Sequence, residues 1–171
     1  MRRSLTSSVL AAALALPVAA LAGTLASPAE ASLQAGCDGT RKPIHCWVIE
    51  PNVREKTTAY PQIHFEAGDR VFVQAGGCVQ TGGRGKTWKR YVDPAADNDL
   101  YHGTIGLPGD IDKRLQGVVG TQVILPEAGP LVLGYEDDNY GDNGYYARND
   151  DNGTGNQCLG LGNAFVRLEI T

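Results

Sequence analysis

Between Tyr135 and Cys158 the chain reads Tyr-Glu-Asp-Asp-Asn-Tyr-Gly-Asp-Asn-Gly-Tyr-Tyr-Ala-Arg-Asn-Asp-Asp-Asn-Gly-Thr-Gly-Asn-Gln-Cys, and Glu136 to Gly153 alone hold six acids and four asparagines. Carboxylates this dense repel one another unless something neutralises them. A hard cation with six to eight oxygen ligands would do so, and Ca²⁺ accepts carboxylates, Asn amides and main-chain carbonyls together. The alternative is a polar turn region, where Asn, Asp and Gly gather for conformational reasons alone. An EF-hand is the wrong subtype. Asp150-x-Asn152-x-Thr154-Gly155 copies its first half, but Leu161 stands where the bidentate Glu belongs.

A second loop, Gly76 to Tyr91, mixes glycines, cations and aromatics. Gly82-Gly83-Arg84-Gly85-Lys86-Thr87 imitates part of a phosphate-binding loop, but its spacing is short by two and no helix follows. Lys86, Lys89 and Arg90 interleave with Trp88 and Tyr91. One reading is a solvated basic edge over an aromatic core residue. The other makes Trp88 a sugar platform, because pyranose C–H faces stack on aromatic rings.

Catalytic alternatives are thin. After removal of the N-terminal segment described below, Ser32 is the only serine, and it lies at the new N-terminus. Serine catalysis needs a partner base and a strained turn. His45, His64 and His102 are the only histidines, and acids Asp97, Asp99 and Asp110 lie near His102 in sequence. A carboxylate pair such as Asp137 with Asp142 or Glu136 would suit a small glycoside hydrolase. Such enzymes work in deep clefts, which a sandwich of this size seldom provides, so a non-enzyme is expected.

The elements that carry these loops read as strands. Trp47-Val48-Ile49 is a short apolar run, and Gln62–Phe65 alternates with Ile63 and Phe65 on one face. Glu66-Ala67-Gly68-Asp69 turns the chain into Arg70–Ala75, a hairpin pattern. Thr121–Leu125, a Pro126–Pro130 turn and Leu131–Tyr135 repeat that pattern. In the last strand Ala164, Val166, Leu168 and Ile170 line one face. No segment sustains a helical period. Short strands without helices predict an all-β antiparallel sandwich or jelly roll.

The N-terminus predicts export. Arg2 and Arg3 precede an Ala- and Leu-rich core from Val9 to Ala22, and Ala29-Glu30-Ala31 offers a small-residue cleavage site before Ser32. The core is short and broken by Pro17, so it suits a membrane anchor poorly, and no other stretch is apolar enough to insert. Removing 1–31 takes away Arg2, Arg3 and Glu30 and moves the net charge from −4 to −5. An acidic chain excludes a typical nucleic-acid binder. The expected organisation is a signal peptide at 1–31, a loosely structured lead-in at 32–60 and a sandwich domain at 61–171. Four cysteines in an exported chain predict two disulfides. Three pairings are open. The short spacing of Cys37 and Cys46 favours a local loop, which leaves Cys78 with Cys158. No CxxC or clustered Cys/His spacing supports zinc.

From about Phe65 to Thr171 the chain resembles the PA-IL-like galactose-binding bacterial lectins. Three stretches carry the resemblance: Glu66-Ala67-Gly68-Asp69 leading to Ala75-Gly76-Gly77; Tyr135-Glu136-Asp137 followed by Asn139-Tyr140-Gly141-Asp142-Asn143-Gly144; and the closing Phe165–Ile170. The resemblance implies a small jelly-roll sandwich with one Ca²⁺ bridging protein and sugar. By position, Asp137, Asn139, Asp142 and Asn143 would supply side-chain oxygens and Thr81 a main-chain carbonyl. Asn139 and Asp142 stand where the family has Thr and Asn, and the loop is two residues shorter. Trp88 or Tyr140 would pack the sugar ring. The expected function is a secreted, calcium-dependent module for a galactose-like carbohydrate, with homo-oligomerisation as a route to multivalency. Two other classes remain: a protein-binding or inhibitor sandwich with structural calcium or none, and the glycoside hydrolase above.

Overall fold

The computed structural model describes residues 34–82, 87–95, 99–145 and 157–171. The expected signal peptide lies outside them. Among the described residues eleven strands, all paired antiparallel, carry the fold: β1 (Ala35–Asp38), β2 (Ile44–Ile49), β3 (Thr57–Phe65), β4 (Arg70–Gly76), β5 (Cys78–Gln80), β6 (Trp88–Arg90), β7 (Gly103–Leu107), β8 (Ile111–Arg114), β9 (Gln122–Ile124), β10 (Gly129–Tyr135) and β11 (Phe165–Ile170). One sheet has the order β1-β2-β11-β4-β9 and the other β3-β10-β7-β8, while β5 and β6 form a separate ribbon. The only helical turns among the described residues are Leu115–Gly117 and Tyr140–Asp142, both 3-10. No described helix is long and apolar enough to cross a membrane.

Alternation in the sequence becomes burial in the sandwich. Val48, Val71, Val73, Val166, Leu168 and Ile170 point inward from the first sheet, and Ile63, Phe65, Ile105, Leu131, Leu133 and Tyr135 from the second. Burial of apolar surface at roughly 25 cal/mol per Å² is what holds two such sheets together. Pro61 sits inside β3, and the pairing of β3 with β10 shifts register between Pro130 and Leu131. A residue without an N–H is accommodated at such an irregularity.

Two expectations change. The hairpin pattern at Glu66–Asp69 is a corner that carries the chain from one sheet to the other, because β3 and β4 lie in different sheets. The turn between β9 and β10 does the same. The corners pair with each other: Gly68 N–H donates to Leu125 O at 2.7 Å, and Leu125 N–H donates to Asp69 O at 2.8 Å. Alternation fixes which side chains point inward; it does not name the neighbouring strand. The second change concerns the lead-in. Its described part forms β1, β2 and the start of β3, and β2 pairs with β11 along all six residues. The segment is part of the sandwich, since β11 needs a partner on that edge.

Both disulfides form as favoured, Cys37–Cys46 and Cys78–Cys158. Cys37 and Cys46 face each other across β1 and β2.

Asp69 anchors the first corner. Its carboxylate accepts from Glu66 N–H at 3.0 Å and from the Lys42 ammonium, and the residue is buried. Burial alone would raise its pKa, but the Glu66 N–H and Lys42 outweigh it and hold the carboxyl below its ordinary value. A group depressed in the folded state contributes stability above its unfolded pKa and loses it as pH falls through the folded one. Acid titrations of thermal stability are therefore expected to show a steeper loss below the usual carboxylate range in the wild type than in Asp69→Asn. Equal acid limbs would contradict this role.

Candidate functional site

The loop after β10 begins where Tyr135 is locked into the core. Its ring stacks on Tyr91 with centroids 6.0 Å apart, and burial pushes the Tyr91 hydroxyl far above its ordinary pKa. Beyond it the chain folds on its own polar groups. Asp137 Oδ1 accepts from Asn139 N–H at 3.0 Å, and Asn139 Oδ1 accepts from Gly141 N–H at 3.2 Å, capping the turn Tyr140–Asp142. Asp and Asn are suited to these local bonds. Tyr140 donates its hydroxyl to Tyr135 O at 3.0 Å and so braces the loop from within.

The loop is then fastened to two distant segments. Gln80 and Gly144 exchange main-chain hydrogen bonds, each 3.0 Å, in an isolated antiparallel bridge. That register puts Thr81 opposite Asn143. On the other side, Asn143 Nδ2 donates to Val53 O at 2.9 Å, Arg54 Nε donates to Asn143 O at 2.8 Å, and Tyr145 donates to Pro51 O at 2.8 Å. The segment Pro51–Arg54 is some ninety residues away in sequence and carries no motif, so sequence reasoning missed it. Only the closure of β2 on β11 brings it here.

What the arrangement leaves open is a set of oxygens. Asp137 Oδ2, Asp142 Oδ1 and Asn143 Oδ1 are buried atoms with no hydrogen-bond partner, and Asn143 as a whole is 1% exposed. Leaving a buried acceptor unsatisfied costs about 1–3 kcal/mol each. Asp137 shows the strain electrostatically. Burial raises its pKa most, the Asn139 N–H and the Asn143 amide pull it down, the neighbouring Asp138 side chain raises it, and the net shift is upward. Burial therefore disfavours the charged form of this carboxyl.

The other expected residues fall in different places. Thr81 is buried at the end of β5, with its N–H on Thr87 O at 2.9 Å. Asn139 is exposed, and its side-chain oxygen, expected as a ligand, already accepts from Gly141 N–H. Trp88 is not a platform. It is 1% exposed and packs with Cys78 and Cys158, because β6 turns it inward under the disulfide. Of the Gly-rich loop, 83–86 lie outside the described residues, as do Tyr146 and Asp150–Gly155 of the acidic stretch. His45 and His64 point outward from β2 and β3, while His102 is buried with its carbonyl on Glu136 N–H at 2.9 Å. Glu136 itself is paired with Arg114 at 2.8 Å, so its carboxylate already has a cation. Among the described residues no three His, Cys, Asp or Glu side chains form a metal cluster. The open donors are instead two carboxylates and an amide, a set suited to a hard cation and ill suited to zinc or copper.

No protein-family model matches the chain, and no curated protein matches it. A solved structure described as "EclA N-terminal domain; PllA-like lectin" is similar to it at 14% identity and a TM-score of 0.40, over 74% of this chain and 92% of that one.

Proposed function

We propose that the protein is a secreted, calcium-dependent carbohydrate-binding module of lectin type. The observation that carries this reading is three buried, unpartnered oxygens on one short loop, on Asp137, Asp142 and Asn143, the last of them opposite Thr81 across the Gln80–Gly144 bridge. With main-chain carbonyls from Thr81 and Asn139, the loop would offer Ca²⁺ five oxygens from the protein. Calcium takes six to eight. The remaining positions would go to vicinal hydroxyls of a galactose-like sugar. The ion would supply the positive charge that Asp137 lacks and polarise those hydroxyls. Tyr140, with its hydroxyl engaged at Tyr135, would offer its ring edge to the sugar. The two disulfides suit an oxidising compartment, as export requires.

The test has two stages on the exported protein. Thermal unfolding is followed as calcium is added after chelation, and galactosides are then screened with calcium and with chelator. A calcium-dependent rise in Tm with glycan binding lost in chelator is the expected result. No rise at millimolar calcium would overturn the reading. A rise without any glycan bound would leave a structural ion in a protein-binding sandwich.

A further inference from the structure

The outward face of the five-stranded sheet carries a concave groove of about 480 Å³ across β2, β11 and β4. Register places its residues in two rows: Trp47–Arg167–Gln74 and His45–Glu169–Phe72. Their inward neighbours, Cys46, Val48, Leu168, Val71 and Val73, fill the core, so nothing in the sandwich requires aromatics on the opposite face. Yet Trp47 is 36% exposed.

The rings here are laid flat by glycine. Gly36 pairs with Trp47, and a Cβ at Gly36 would meet the indole Cζ2 at 3.4 Å. Gly76 pairs with Phe165, and a Cβ there would meet that ring at 3.4 Å. The same device occurs twice, at Trp47 in the lining of the groove and at Phe165 in the next row of the same face, beside Ile49. A ring resting on a glycine lies along the sheet and turns its other face outward. At Phe165 that face is taken by Arg167, 5.1 Å from the centroid, which holds the guanidinium at that end of the groove.

From this we propose that the groove is a second carbohydrate site, independent of calcium, that takes a neutral oligosaccharide. Trp47 and Phe72 lie two strands and two residues apart, roughly 12 Å on the diagonal of a sheet. That span exceeds one pyranose ring. Between them Gln74, Arg167, Glu169 and His45 offer both donors and acceptors, which hydroxyls of either sense can meet. The groove's volume falls among small-molecule sites. A second copy of the chain fits less well, because Arg167 and Glu169 sit at the centre of the face, where protein interfaces are depleted of charge.

The chain's two tryptophans make the test direct. Trp88 is buried, so saccharide-dependent changes in fluorescence report Trp47. Cellopentaose, laminaripentaose and chitopentaose are titrated into the exported protein in chelator. At least one is expected to change Trp47 emission saturably at millimolar concentration. Trp47→Ala, followed by calorimetry, and Gln74→Ala are expected to weaken that binding about tenfold or more. Two folded variants keep the result separate from unfolding. No response from any of the three sugars would overturn the proposal. So would binding that requires calcium or survives Trp47→Ala, or sedimentation showing a dimer that Trp47→Ala disperses. Failure of the calcium site would leave this result untouched, since the assay contains chelator.

Discussion

In chelator at neutral pH, Asp137→Asn is expected to unfold at a higher temperature than the wild type, and added calcium is expected to move only the wild type. The reason is the upward pKa shift of Asp137, which burial dominates. A carboxyl whose folded pKa lies above its unfolded value contributes stability below the unfolded pKa and loses it as pH rises through the folded one. At neutral pH the ionised Asp137 therefore works against the calcium-free fold. An uncharged amide of the same shape removes that penalty. Calcium would remove it in the wild type, and at a hundredfold excess over Kd would stabilise the fold by about 2.7 kcal/mol, a Tm rise of about 10 °C for a chain of this size. The calcium-free wild type should also gain relative to the variant as pH is lowered toward the carboxylate range, opposite in sign to the Asp69 contribution. A variant that is less stable than the wild type in chelator would refute the electrostatic account.

Replacing Cys78 and Cys158 together by alanine is expected to cost about 4.5 kcal/mol in unfolding free energy, on the chain-entropy account of an eighty-residue loop. Replacing Cys37 and Cys46 should cost less, because that loop spans only nine residues. The long bridge also bears on the site. Cys78 opens β5, whose last residue Gln80 carries the bridge to Gly144, and Trp88 packs on the same disulfide. Chemical denaturation of the two double variants checks the order of the losses. The Cys78/Cys158 variant should also need more calcium for the same Tm rise. Equal losses would place the strength of the bridge in the native packing rather than in the unfolded chain.

The turn that follows β10 was legible in the sequence because its signals are local. Asp137, Asn139, Asp142 and Asn143 fall within seven residues, and the side chains of Asp137 and Asn139 make the turn bonds their types favour. The inward faces of β3, β4, β10 and β11 were legible for the same reason, since alternation reports burial without reference to a partner. The favoured disulfides followed from spacing and parity.

The rest depended on contacts between residues far apart in the chain. Nothing local says that Glu66–Asp69 passes between sheets, because a corner and a hairpin use the same turn residues. Nothing local separates a Trp88 buried under a disulfide from one exposed to sugar, and Trp47 took the exposed place instead. Arg54 and Val53 reach Asn143 only because β2 closes on β11. The sequence by itself determined the class of fold, the inward faces of β3, β4, β10 and β11 and the acidic loop, which are short-range consequences of side-chain type. Only the tertiary structure decided which oxygens end buried without partners and which ring faces water, because both depend on what the second sheet and the remote loops cover.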